Sequence, residues 1–389
     1  MVMSVLTDNP PLGTAQAASV IAAAVRLLTK RTGAELTLVE VEDLGGTGQT
    51  VVVRAKVGEN PFSLPRTIVV KQTPPQSRLE MFTREVVSYQ FTTSLATGDR
   101  PGPELLAWDL EERVLIISDL GEAMTMSQVL ASHSGGEENA LMAWAQRLGK
   151  MHAATAGREA DFSALLRRAK VPSGRDVIGQ QVQGAVGALP EQLREHFSVE
   201  VSDEVREIAA KARSLFEKGA MRAFSPADPG PDNIVLTADQ GVRFLDYEWG
   251  GFRDATLDIA YALLTYRGAM GEDKSGKSRE LWAELDQRIV QAWRAEAVAV
   301  WPALADEMTV HKRVLAAGLV WVWLTTAWWL PGHRRDGAWS HSHALSSPTP
   351  QVLMARWEVL LGLAEAAQDQ AVAKHAEAVI AALRAAWRW

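Results

Sequence analysis

The sequence contains no cysteine. Disulfides, thiolate metal sites and a cysteine nucleophile are therefore excluded. Positive charge is also scarce: 40 Lys and Arg against 47 Asp and Glu leave a formal net charge of −7. No Lys/Arg run offsets that balance, so binding to nucleic acid through phosphate contacts is not expected. The opening stretch MVMSVLTDNPPLG lacks a basic start and a long apolar core. It does not read as a signal peptide, and the expected location is the cytoplasm. Long apolar runs are nearly absent. The exception is residues 314–330 (VLAAGLVWVWLTTAWWL), which carry no charge. That run falls short of the roughly 20 residues a membrane span needs. A helix apolar on every side belongs in a large core, so a buried helix and no membrane contact are expected.

What is present is enough for two domains: 389 residues, 47% hydrophobic and 22% charged. Residues 14–30 carry Ala, Val, Ile and Leu at helical spacing. Residues 36–41 then alternate, residues 50–57 follow as a second strand, and LGGTGQ lies between them. Backbone N–H groups of Gly45, Gly46, Thr47 and Gly48 in such a turn can lie over phosphates. A glycine-rich hairpin tip is also common for conformational reasons alone. Next comes the β-branched run TIVVK, ending in Lys71, and a helical pattern over 78–95. A strand lysine gripped by a glutamate from the following helix is how kinases hold nucleotide phosphates. Glu85 is the expected partner, with Glu80 as the competitor on the same helix. Residues 103–109 and 113–117 complete a small antiparallel sheet, and Ser118-Asp119-Leu120-Gly121 breaks it. Around Asp119 the chain reads as a hinge whose backbone groups can meet an adenine edge.

The most informative stretch is residues 224–248, FSPADPGPDNIVLTADQGVRFLDYE. Two apolar runs around Ala238-Asp239-Gln240-Gly241 predict a β-hairpin. Pairing Thr237 with Val242 places Asn233 opposite Asp246, where directly opposed Cβ atoms lie roughly 4.5–5.5 Å apart. An amide oxygen beside a carboxylate suits Mg²⁺, which keeps some waters and takes the rest of its shell from phosphate. Asp228, just upstream, is placed to orient a hydroxyl nucleophile. Asp-Pro-Gly-Pro-Asp-Asn is also ordinary turn composition, and the surrounding motifs decide for chemistry.

Asp228-x-x-x-x-Asn233, then Asp246-Tyr247-Glu248, then Asp258-Ile259-Ala260 resembles the aminoglycoside phosphotransferase and choline kinase family. Arg84-Glu85…Tyr89 and Leu148 to Ala153, with His152, resemble its flanking elements. The resemblance covers roughly residues 35–267. It implies an α+β, bilobal protein-kinase-like fold: a small antiparallel-sheet N-lobe over 1–120 that binds nucleotide, and a large, mostly helical C-lobe over 121–389. It implies Asp228 as catalytic base, Asn233 and Asp246 as magnesium ligands, and Asp258 as a brace behind the catalytic loop. His152 is expected to pack and hydrogen-bond near that loop. Glu248 is left open between metal and substrate. One departure is plain, because the family's histidine two residues before the base is Pro226 here.

The expectation is therefore a kinase moving the γ-phosphate of ATP, with GTP as the alternative donor, to a hydroxyl of a small molecule. A nucleotide-binding regulator without turnover and a metal-dependent hydrolase are the rivals. Residues 163–199 look polar and mixed, residues 205–218 read as one helix, and the final third carries ten tryptophans besides Trp282 out of fourteen. These tryptophans are expected to fill a core rather than form an aromatic cage. Arg334, Arg335, His341 and His343 lie in a loop expected on the substrate side. Acceptor identity and oligomeric state are not readable.

Overall fold

The β-branched runs of the first third pair as their alternation predicts. The computed structural model describes residues 14–46, 50–58, 64–171, 176–239, 241–271, 277–330, 345 and 349–387. Strands β1 (Leu38–Gly45), β2 (Val51–Val57), β3 (Thr67–Gln72), β4 (Leu105–Asp109) and β5 (Val114–Ser118) form one antiparallel sheet, ordered β1-β2-β3-β5-β4. Side chains alternate across a strand, and β5 shows the consequence. Val114 and Ile116 join a core with Val20, Ala24 and Leu28 of helix α1 (Thr14–Thr32). Leu115 and Ile117 face the other way, toward Phe82 and Val86 of helix α2 (Leu79–Thr93). The sheet is thus covered on both faces.

The rest of the chain is mostly helical. Strand β6 (Ala123–Thr125) leads into α3 (Met126–Ala131), α4 (Glu137–Thr155), α5 (Glu159–Arg168), α6 (Val177–Phe197), α7 (Asp203–Ala212) and α8 (Leu215–Lys218). Four short strands follow: β7 (Arg222–Ser225), β8 (Ile234–Thr237), β9 (Val242–Phe244) and β10 (Gly251–Asp254). Then come α9 (Thr256–Met270), α10 (Arg279–Ala297), α11 (Glu307–Trp329), α12 (Pro350–Ala366) and α13 (Gln370–Trp387). This is an antiparallel-sheet N-lobe on a helical C-lobe. The apolar run at 314–330 is the body of α11, with Trp321 and Trp323 fully buried. Among the described residues no helix is long and apolar enough to cross a membrane.

Several details differ from the sequence expectation. Within the stretch read as polar and mixed, α6 runs for 21 residues and buries Val182, Ala185, Leu189 and Leu193. The single helix expected over 205–218 is two, α7 and α8. The hairpin register is offset by one residue. Ile234 pairs with Phe244 and Leu236 with Val242, and the Leu245 N–H donates to the Asn233 carbonyl at 2.8 Å. Asn233 therefore sits beside Leu245 and not beside Asp246. The cause is the turn: the Thr237 N–H donates to the Gly241 carbonyl at 3.0 Å, so Thr237 faces Gly241 where Val242 was expected. Asp239 Oδ1 helps close that turn by accepting from the Gly241 N–H at 3.2 Å.

Candidate active site

Lys71 is fixed by sheet pairing on both sides, opposite Val52 of β2 and Leu115 of β5. Its neighbours Ile68 and Val70 point into the α1 core, so alternation sends Lys71 to the α2 side. There Nζ lies 2.7 Å from Glu85 Oε1 and 2.6 Å from Asp246 Oδ1. The expected competitor, Glu80, instead lies 4.0 Å from Arg84 on the surface. One turn beyond Glu85 on the same face of α2 is Tyr89. The Asp246 N–H donates to its phenol oxygen at 3.2 Å. Its ring stands 4.6 Å from that of Tyr247. Asp246 itself takes a left-handed backbone, φ +56°. That local twist delivers the carboxylate to Lys71 despite the shifted hairpin.

The charges do not balance here, with one ammonium facing Glu85, Asp246 and Glu248. Burial pulls Lys71 down, but Asp246, Glu85 and Glu248 outweigh it and hold the ammonium well above the usual lysine value. Burial pushes Glu85 up to about 7 against the pull of Lys71. Burial, then Asp246, pushes Glu248 up to about 8, with Asp228 adding to the same direction. Carboxylates that repel one another this way mark a site short of positive charge.

Asp228 hangs on the loop after β7 and is 1% exposed. Buried groups support this loop from behind. The Trp293 Nε1–H donates to His152 Nδ1 at 3.0 Å, so the His152 hydrogen is on Nε2, which lies 3.0 Å from Asp258 Oδ2. Ser225 donates to the other oxygen of Asp258 at 2.7 Å, and the Ala227 N–H donates to Ser225 Oγ at 3.0 Å. Arg253 adds a bond to the Ser225 carbonyl at 3.3 Å. Ala227 is left-handed, φ +64°, a strain of order 1–3 kcal/mol that only a well-held loop sustains. Pro226 therefore sits in a loop whose support comes from Ser225, Asp258 and His152. On its other side, Asp228 accepts a hydrogen bond from the buried Tyr261 hydroxyl through Oδ1. The Asn233 amide nitrogen donates to the Asp228 carbonyl at 3.1 Å.

The remaining expected residues are placed as follows. Gly45 and Gly46 close β1 at φ +89° and +152°. A Cβ on Gly46 would meet the Thr50 carbonyl oxygen at 2.0 Å, so only glycine fits there. Thr47 and Gly48 lie outside the described residues, as do Arg334, Arg335, His341 and His343. The Asp119 carboxylate is engaged with Arg54 at 3.1 Å and the Gly121 N–H at 3.0 Å. Sequence reasoning missed Tyr261, Ser225 and Trp293, and it had Tyr89 as part of the α2 motif without a role for its hydroxyl. Only the spacing of Tyr89 from Glu85 and of Tyr261 from Asp258, one helical turn each, carried a signal.

Among the described residues no three His, Asp or Glu side chains form a closed metal cage. Asp246 and Glu248 do offer carboxylate oxygens in a cluster with a surplus of negative charge. That donor set fits a magnesium ion that completes its shell with phosphate and water.

No protein-family model matches the chain, and no curated protein sequence does. In fold the chain is similar to choline/ethanolamine kinases and aminoglycoside phosphotransferases of known structure. A choline/ethanolamine kinase family protein from Mesorhizobium loti aligns over 88% of this chain and 93% of its own, at 15% identity and a TM-score of 0.46. An aminoglycoside phosphotransferase from Alicyclobacillus acidocaldarius aligns over 98% of each chain, at 13% identity and 0.47. A choline kinase from Streptococcus pneumoniae aligns over 87% of this chain and 98% of its own, at 13% and 0.45. Likeness at this level says nothing of substrate or activity, which stand on this chain's own geometry.

Proposed function

We propose that the protein is a small-molecule kinase that transfers the γ-phosphate of ATP to a hydroxyl group. The observation that carries the reading is Lys71 held between Glu85 and Asp246, at 2.7 and 2.6 Å, in a cluster where acidic groups outnumber cations. Such a clasp, with an acidic side chain on a separately braced loop, is what phosphoryl transfer asks of a protein: positioning and charge neutralisation. Lys71 grips the nucleotide phosphates, and Glu85 keeps it aimed. Asn233 and Asp246 would hold magnesium, with Glu248 beside them; the ion, when bound, neutralises the β- and γ-phosphate oxygens. Gly45 and Gly46 bring backbone toward the phosphates, and the hinge at Asp119 presents backbone groups to the base. Asp228 takes the proton of the acceptor hydroxyl. The acceptor oxygen bonds to the γ-phosphorus, the bond to the bridging oxygen breaks, and ADP leaves with that electron pair.

The division into a nucleotide lobe to about residue 120 and an acceptor lobe beyond it belongs to this reading. The test is ADP release from MgATP, and from MgGTP, against a panel of hydroxyl compounds: amino alcohols, sugars, aminoglycosides and macrolides. Acceptor-dependent ADP release supports the proposal. Nucleotide binding with no release against any acceptor would make the protein a non-catalytic regulator, and acceptor-independent hydrolysis of an ester would make it a hydrolase.

A further inference from the structure

Tyr261 lies three residues beyond Asp258 on α9 and is fully buried. Its hydroxyl donates to Asp228 Oδ1. Burial, then the charge of Asp228, holds the phenol well above the ordinary tyrosine range, so it remains a donor at neutral pH. Its ring meets the edge of Trp321 at a centroid distance of 5.4 Å. Trp321 is pinned in turn by its Nε1–H on the Leu257 carbonyl at 2.9 Å. The backbone of buried Leu345 hydrogen-bonds the phenol, and its carbonyl accepts from Arg356 at 2.6 Å. Tyr261 is therefore held on several sides, while Asp228 follows a residue in a strained backbone conformation.

We infer that Tyr261 is a positioning residue for the base: its hydroxyl holds Asp228 Oδ1 and so fixes the rotamer of the carboxylate. A carboxylate on two single bonds has several staggered and near-isoenergetic orientations. Misplacement by about 1 Å is enough to cost roughly a hundredfold in rate. The inference rests on the function proposed above. In the transfer step the acceptor proton goes to the Asp228 carboxylate, and the Tyr261 proton stays on its own oxygen.

Two measurements on the full chain separate this role from plain packing. The chain has only four tyrosines, so ¹³Cζ-tyrosine spectra can be assigned with Tyr261→Phe and Tyr266→Phe. Asp228→Ala is expected to shift the Tyr261 resonance. Asp286→Asn is expected to shift that of Tyr266, whose hydroxyl donates to Asp286 at 2.6 Å. In MgATP turnover, with the best acceptor or with water, Tyr261→Phe is expected to lower kcat by about 10- to 100-fold. KM for ATP should stay within twofold and the melting temperature should hold. Combined with Asp228→Asn, the phenylalanine should cost nothing further. A Tyr261 resonance indifferent to Asp228→Ala overturns the inference whatever the activity. So does full kcat in Tyr261→Phe, or a loss that persists undiminished in the Asp228→Asn background. If the resonance responds but no wild-type turnover exists with any acceptor or with water, the proposed function fails, and the positioning role fails with it.

Discussion

Asp258 shows how completely single side chains are committed by their neighbours. Both of its oxygens accept, one from Ser225 and one from His152, and it is fully buried. Asp258→Asn keeps the shape but turns one acceptor into a donor that faces another donor. An orphaned buried hydrogen-bonding group costs about 1–3 kcal/mol. Urea unfolding of this variant is expected to show a loss in that range, and a change within about 0.5 kcal/mol, the scatter of neutral substitutions, would contradict the bracing. At this scale the sequence was legible wherever chemistry restricts the residue type. The Lys71 and Glu85 pair was legible as a strand lysine before a helix glutamate, and the two meet at 2.7 Å, whereas Asp228 and Asn233 sit in ordinary turn composition and stood out only beside the other motifs. Tyr261 did not stand out, and Tyr89 did so only as part of a motif, with no role for its hydroxyl. A tyrosine in an apolar run looks like core, and only the fold shows that its hydroxyl reaches a carboxylate or an aspartate N–H.

Elements were legible where one periodicity dominates. The N-lobe strands, α2, α9 and the apolar α11 follow from alternation or helical spacing. Helix α6 did not, because Gly179, Gly184, Gly187 and Pro190 all lie within it, and each lowers local helix propensity. Tertiary burial of Val182, Leu189 and Leu193 overrides that penalty. The glycines of helices then divide by surroundings. Gly184 and Gly187 face open space, with nothing within 4 Å of an added Cβ. Ala at either is expected to raise stability by about 0.5–1 kcal/mol. At Gly149 of α4 an added Cβ would meet the Trp293 carbonyl oxygen at 2.5 Å, so Gly149→Ala is expected to destabilise. Equal effects at the two kinds of site, in parallel denaturant titrations, would contradict the α4–α10 contact. The hairpin of β8 and β9 shows the limit of pattern reading. Its strands were evident, but register depends on whether Thr237 faces Gly241 or Val242, and Asp239 with Gly241 decides that by hydrogen bonds no periodicity records.

At the scale of the whole molecule, the C-lobe core of α11, α12 and α13 meets around one buried histidine. His375 stands between Trp323 and Trp357 at centroid distances of 5.8 and 5.3 Å, and neither ring nitrogen has a hydrogen-bond partner among the described residues. Burial lowers its pKa from 6.5 to about 4. The unfolded chain therefore binds this proton at a higher pH than the folded one does. Stability is complete above pH 6.5 and falls as pH drops toward 4. Between pH 7 and pH 5 this residue alone is expected to remove about 2 kcal/mol. Urea titrations at both pH values should show that extra loss in the wild type and lack it in His375→Leu; the same acid dependence in both proteins would contradict the assignment. Trp321, Trp323 and Trp357 of this third thus serve packing, as the unbroken apolar run in α11 indicated. The pairing of the two lobes across Lys71 and Asp246 was visible only as motif order, because residues 175 positions apart meet through tertiary structure alone. The proposed function needs that meeting and Asp228 as its base, and the base is its central claim. Acceptor-dependent ADP release by the wild type and Asp228→Asn, with MgATP binding measured in both, tests it most directly. The expected result is at least a hundredfold loss of release with nucleotide affinity retained, and undiminished release by Asp228→Asn would contradict it.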